Sequence, residues 1–193
     1  IFESKKEIIK KDLCLLVEGY TDVISLHQNG VKNVVASSGT ALTSEQVRLV
    51  KRYTENITFL YDGDQAGIKA ALRGLDIVLE SDMNVKLVLL PENEDPDSFI
   101  QKSGTADFQE YVQTQAKDFI FFKMDLLLEE AGNDPIKKSN LIKDIINSIA
   151  KLRDPIKRSL YIRQCSQSLE IAEDILVKEV NKIIRETLRQ KRQ

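Results

Sequence analysis

Four short runs of the chain are apolar almost without interruption: LCLLV at 13–17, NVVAS at 33–37, NITFLY at 56–61 and VKLVLL at 85–90. A strand with one wet face alternates apolar and polar residues; a strand buried on both faces does not. Each of the first three runs is followed by a segment with helical periodicity. TDVISLHQNG carries Val23, Ile24, Leu26 and His27, with Gly30 as a stop signal. SGTALTSEQVRLVKRY carries Leu42, Val47, Leu49 and Val50 behind a cap at Thr43 or Ser44, with Glu45 in the first turn. AGIKAALRGLDIVLES carries Ile68, Ala71, Leu72, Leu75, Val78 and Leu79, and Pro91 stops the fourth run. This order predicts an α/β domain, a parallel sheet flanked by helices. From about Ala116 helical periodicity dominates, with no strand candidate. Asp134-Pro135 and Asp154-Pro155 read as helix starts, Asp capping and Pro in the first turn. The expected division is an α/β domain over 1–114 and an all-helical part over 115–193, with no internal repeat.

Composition narrows the chemistry. Two cysteines, Cys14 and Cys165, and one histidine, His27, are too few for a Cys/His zinc site or a disulfide framework. Cys14 sits in an apolar run and reads as a small core residue, and a reducing, intracellular setting is the simplest fit. Any metal here is held by oxygen, which selects a hard cation such as Mg2+ or Mn2+. No apolar run approaches the length that spans a bilayer. Residues 1–114 carry 12 Lys and Arg against 18 Asp and Glu, whereas residues 115–193 carry 16 against 12. That asymmetry suggests two parts with different work.

The carboxyl ends of parallel strands form the edge where α/β folds bind ligands. Glu18 ends the first run, Asp62 and Asp64 end the third, and Asp95 and Asp97 follow the fourth. Asp22 falls in the first turn after Glu18. Each alone reads as a turn or cap residue, Asp97 before Ser98 being the plainest case. Together on one edge they raise one another's pKa or require cations. A pair of divalent ions would balance the charge, and Gly63 and Gly67 would allow a tight turn and close approach of phosphate.

These motifs carry a resemblance. EGYTD, DGDQAG and DPDS, in that order after successive strands, resemble the Toprim signature shared by bacterial-type primases, topoisomerases and some nucleases. VEGYTDVISLHQNGVKNVVASSGTALTSEQ, YDGDQAGIKAA, LPENEDPDSFIQKSG and RDPIKRSLYIRQCSQSLEI are similar to segments of bacterial DNA primases, over nearly the whole chain. The resemblance implies a Toprim-type parallel sheet flanked by helices, followed by an all-helical subdomain. It implies a DNA-directed RNA polymerase that makes short primers by nucleotidyl transfer, with Glu18, Asp62 and Asp64 catalytic. Glu18, Asp22, Asp62, Asp64, Asp95 and Asp97 would hold two Mg2+ or Mn2+ ions, and Ser38, Gly39 and Thr40 would contact nucleotide or phosphate. Implied partners are single-stranded DNA template, nucleoside triphosphates, the RNA primer and the replicative helicase, in a bacterial, cytoplasmic replisome and without a membrane. The chain opens on Ile1 and reads as a fragment. The family's zinc-binding N-terminal domain, basic subdomain and helicase-binding C-terminal domain are expected outside it. Such a fragment is expected to bind metal and make little RNA alone. The rivals are a Toprim nuclease using the same metal edge, and a non-catalytic scaffold whose acids hold a structural ion. A topoisomerase piece needs a nucleophilic tyrosine, and nothing singles out Tyr20, Tyr53, Tyr61, Tyr111 or Tyr161. A receiver-like or phosphatase domain would use one Asp as nucleophile.

Overall fold

The computed structural model describes residues 1–37, 42–62 and 75–190. The chain divides into two compact units, Ile1–Phe119 and Ile120–Gln193. The first holds a five-stranded sheet of order β2-β1-β3-β4-β5, with β1 Cys14–Val17, β2 Val34–Ala36, β3 Asn56–Tyr61, β4 Asn84–Leu89 and β5 Lys117–Asp118. The four apolar runs form the parallel strands, in register through Leu16↔Val35, Leu16↔Phe59 and Phe59↔Leu87. β5 departs from the expectation: it pairs antiparallel to β4 through Lys86↔Asp118, so the sheet is mixed. Two residues carry no periodicity, and this strand exists only because β4 offers it an edge. The pairing also carries the first unit past residue 114, where the sequence had suggested the division.

The helices of this unit are α1 Lys5–Lys11, α2 Tyr20–Gln28, α3 Ser44–Lys51, α4 Asp76–Glu80 and α5 Pro96–Gln115. Neither α1 nor α5 was foreseen, and the helix expected from Ala66 is described only over its last turns, as α4. Thr43 is the cap of α3: its hydroxyl accepts from the Gln46 N–H at 3.2 Å while the Gln46 amide oxygen accepts from the Thr43 N–H at 2.9 Å. In α5, Asp95 rather than Asp97 is the cap, accepting from the Ser98 N–H at 2.7 Å, with Pro96 at the first helical position. α5 is two helical runs joined at Gly104, whose φ of 81° and ψ of 170° suit only glycine. The break turns Ile100 and Phe108 into one core with Leu15, Val17, Leu26, Val31, Leu60 and Val88.

At the opposite, amino edge of the sheet, polar side chains tie the strands together. The Asp12 carboxylate accepts from the buried Thr54 hydroxyl at 2.7 Å and from the Asn56 amide at 3.0 Å, and the Asn56 amide oxygen accepts from Asn84 at 2.8 Å.

The second unit begins within α6 Phe119–Ala131, at Ile120, and continues through α7 Pro135–Lys151, α8 Pro155–Leu169 and α9 Glu173–Gln190. α9 packs on α7 and α8, burying Leu141, Ile145, Ile149, Ile162, Cys165, Leu176 and Val180. The expected starts are in place: Asp134 caps α7, accepting from the Ile136 N–H at 2.8 Å, and Asp154 caps α8 through the Ile156 N–H at the same distance. A short repetition does exist here, DPIKKS at 134–139 and DPIKRS at 154–159, and both copies are this same helix start. Among the described residues no helix is long and apolar enough to cross a membrane.

Candidate metal centre

β1 and β3 lie side by side, with Cys14 opposite Ile57 and Leu16 opposite Phe59. Carried two residues further, this register sets Glu18 beside Tyr61, one residue from Asp62. The electrostatics agree with that placement. Tyr61 is buried and its phenol is pushed above its ordinary range, first by burial and then by the charge of Glu18. Phe59 stacks on the Tyr61 ring at 5.8 Å between centroids and holds it on that side of the sheet. Glu18 itself is exposed and Asp62 half-buried. Sequence pattern alone gives Tyr61 no distinguishing role; its place beside Glu18 depends on strand register, which no local pattern announces.

Asp22 gathers a second group of acids. Its Oδ2 accepts from the Gly19 N–H at 3.2 Å, closing the first turn of α2. Gly19 matters here for close approach: a Cβ would lie 3.1 Å from that oxygen. Burial raises the Asp22 pKa above its usual value, the Gly19 N–H counteracts this, and the charges of Asp95 and Asp97 raise it further. The Asp97 N–H also stabilises the Asp22 carboxylate. Asp22 thus joins the start of α2 to the start of α5 and keeps three carboxylates in one field. Beside it, Glu94 accepts from Lys102 at 2.6 Å, and the Tyr111 hydroxyl donates to the Leu89 carbonyl at 3.0 Å, fixing α5 to the end of β4.

The structure therefore brings Glu18 to Tyr61 and the neighbouring Asp62, and Asp22 to Asp95 and Asp97. Asp64, Gly63, Gly67 and Ser38, Gly39 and Thr40 lie outside the described residues. Among the described residues no three acids, histidines or cysteines form a metal-holding group. The donor set is nonetheless all carboxylate: burial first, and then the charges of Asp95 and Asp97, raise the pKa of Asp22, and a hard cation would relieve the second of these.

Residues 15–100 match the sequence family described as Toprim-like, and residues 122–174 match the one described as the DnaB-helicase binding domain of primase. The DNA primase of Clostridium acetobutylicum is 39% identical over 166 residues, 86% of this chain and 28% of that protein. The sequence belongs to the bacterial DNA primase family. It spans less than a third of the length of the curated primases it matches, 30% in the case of Listeria innocua, whose DNA primase is 35% identical over 187 residues, 96% of this chain. A DNA primase domain from Pseudomonas aeruginosa superposes with a TM-score of 0.83 at 31% identity, covering 93% of this chain and 57% of that one. The DnaG primase catalytic domain bound to ssDNA superposes at 0.77 with 28% identity, covering 86% of this chain and 55% of that one. The match over 122–174 adds to what the sequence suggested: part of the helical region itself is similar to the family described as the helicase-binding domain of primase. Amphipathic periodicity showed those helices without distinguishing them from any other helical subdomain.

Proposed function

We propose that this primase-family chain contributes the metal-binding core of an enzyme that makes RNA primers on single-stranded DNA. The observation that carries the reading is the β1–β3 register, which sets Glu18 against the end of the strand that delivers Asp62. Glu18, Asp62 and Asp64 are the catalytic acids in this reading, and Asp95 and Asp97 complete the oxygen donors. Asp22 supports them by holding the start of α5 against the start of α2. Divalent ions bound there supply a lowered pKa at the primer 3′-hydroxyl and charge neutralisation at the leaving pyrophosphate. Ser38, Gly39 and Thr40, following the β2 end, are proposed to meet nucleotide or phosphate. The protein's own contribution is an edge of carboxylates held rigidly by adjacent parallel strands. The helical part, through its helicase-binding match, is proposed to contact the replicative helicase in the bacterial cytoplasm.

The test is primer synthesis on single-stranded DNA by the full-length protein carrying Glu18→Gln, Asp62→Asn or Asp64→Asn. Each is expected to lower the rate about a hundredfold or more while leaving thermal stability near that of the parent. Manganese binding to the 193-residue chain, followed by electron paramagnetic resonance, is expected to weaken in the same variants. Undiminished synthesis by Glu18→Gln refutes the assignment. Degradation of plain DNA or RNA that disappears with Asp62→Asn identifies a nuclease instead.

A further inference from the structure

The outward face of α8 is an unusual solvent surface. Between Pro155 and Leu169 the helix contains Lys157, Arg158 and Arg163 and no acid. Its inward residues are Ile162 and Cys165, both buried. Its outward stripe, at helical spacing, is Ile156, Ser159, Leu160, Arg163 and Gln164. Ile156 is 70% exposed and Leu160 is 62% exposed, one turn apart on that stripe. Solvated helix faces are ordinarily laced with both signs of charge; this one pairs two large aliphatic side chains with a single cation. Of the two cations in the first turn, Lys157 and Arg158, the latter has structural work: its guanidinium donates to the Leu152 carbonyl at 2.6 Å and to the Arg153 carbonyl at 3.0 Å. Arg163, exposed, is the cation of that stripe.

We propose that this face of α8 docks an acidic amphipathic helix of a partner protein, Ile156 and Leu160 meeting its apolar stripe and Arg163 its carboxylates. An aliphatic pair beside an exposed cation, with no acid between Pro155 and Leu169 to repel carboxylates, fits a helix of that character. The inference rests on the proposed helicase contact of the helical part and supplies the surface for it: α8 lies wholly inside the residues that match the primase helicase-binding family.

The experiment measures binding of purified DnaB-type helicase to the 193-residue chain by fluorescence anisotropy, for the parent and for Leu160→Asp, Arg163→Glu and Ile136→Asp. Ile136 is 74% exposed at the matching position of α7 and serves as the control for an exposed isoleucine outside the stripe. Leu160→Asp and Arg163→Glu are expected to weaken binding about tenfold or more. Ile136→Asp is expected to bind as the parent does, all three are expected to keep the parent's melting temperature, and added salt is expected to weaken the parent complex. Parent-like binding by both α8 variants overturns the proposal while leaving the helicase reading intact. No binding by the parent overturns both. Loss of single-stranded DNA binding by the α8 variants, with helicase binding retained, reassigns the face to nucleic acid.

Discussion

Replacing Asp22 by Asn tests whether like-charge crowding governs the carboxyl edge. The substitution keeps an amide oxygen for the Gly19 N–H, which lies 3.2 Å from the carboxylate, and removes the charge facing Asp95 and Asp97. Asp22 is partly exposed, so solvent screening discounts the repulsion to about 0.5 kcal/mol. In a chelator at pH 7 the variant is expected to melt about 1–2 °C above the parent. Because the folded-state carboxyl is raised above its ordinary 3.8, the penalty is complete above the folded value. It fades as pH falls through that value toward the unfolded one, so the variant's advantage disappears on acidification. Magnesium reverses the ranking. A site saturated at about a hundred times its Kd stabilises the parent by about 2.7 kcal/mol. A tenfold weaker site in the variant gives up about 1.4 kcal/mol of this, about 3–5 °C. Calorimetry in chelator and in magnesium, at pH 7 and near pH 4, measures both differences. A variant less stable than the parent in chelator, or an equal gain from magnesium in both proteins, refutes the reasoning.

Gly104→Ala is expected to cost about 1–3 kcal/mol in urea unfolding, wholly through the backbone, because a Cβ there meets nothing within 4 Å. Asp12→Ala leaves the buried Thr54 hydroxyl without its carboxylate partner and is expected to cost about 1–3 kcal/mol; Asp12→Ala with Thr54→Val is expected to recover part of that loss in the same assay. Asp154→Ala removes the acceptor 2.8 Å from the Ile156 N–H and is expected to destabilise the helical unit by about 1 kcal/mol, read as lost helicity on heating.

The four parallel strands were legible because burial on both faces leaves no room for polar residues, and the caps at Asp134 and Asp154 because their chemistry is local; between Thr43 and Ser44 only the structure decides. α5 was not legible: Gly104 divides its apolar pattern, and Asp97 before Ser98 reads as the plainest cap, whereas it is Asp95 that accepts from the Ser98 N–H. For the site, the sequence supplied the acids and their strand ends. It did not supply the partition in which Glu18 faces Tyr61 while Asp22 faces Asp95 and Asp97. Asp64, Ser38, Gly39 and Thr40 lie outside the described residues, and their roles are proposed from the sequence.

Part of the local order thus followed from the sequence alone, since period, cap and breaker are properties of neighbours in the chain: the four parallel strands, the helices that begin at Asp-Pro, which residues are acidic, and that two cysteines and one histidine are too few for a sulfur or imidazole cluster. Tertiary structure alone decided the strand order, the antiparallel closing pair at Lys117–Asp118 and which carboxylates share a field. Those depend on contacts between residues far apart in sequence, such as Glu18 with Tyr61, and such contacts are fixed by packing and hydrogen-bond register rather than by any pattern a short stretch can carry.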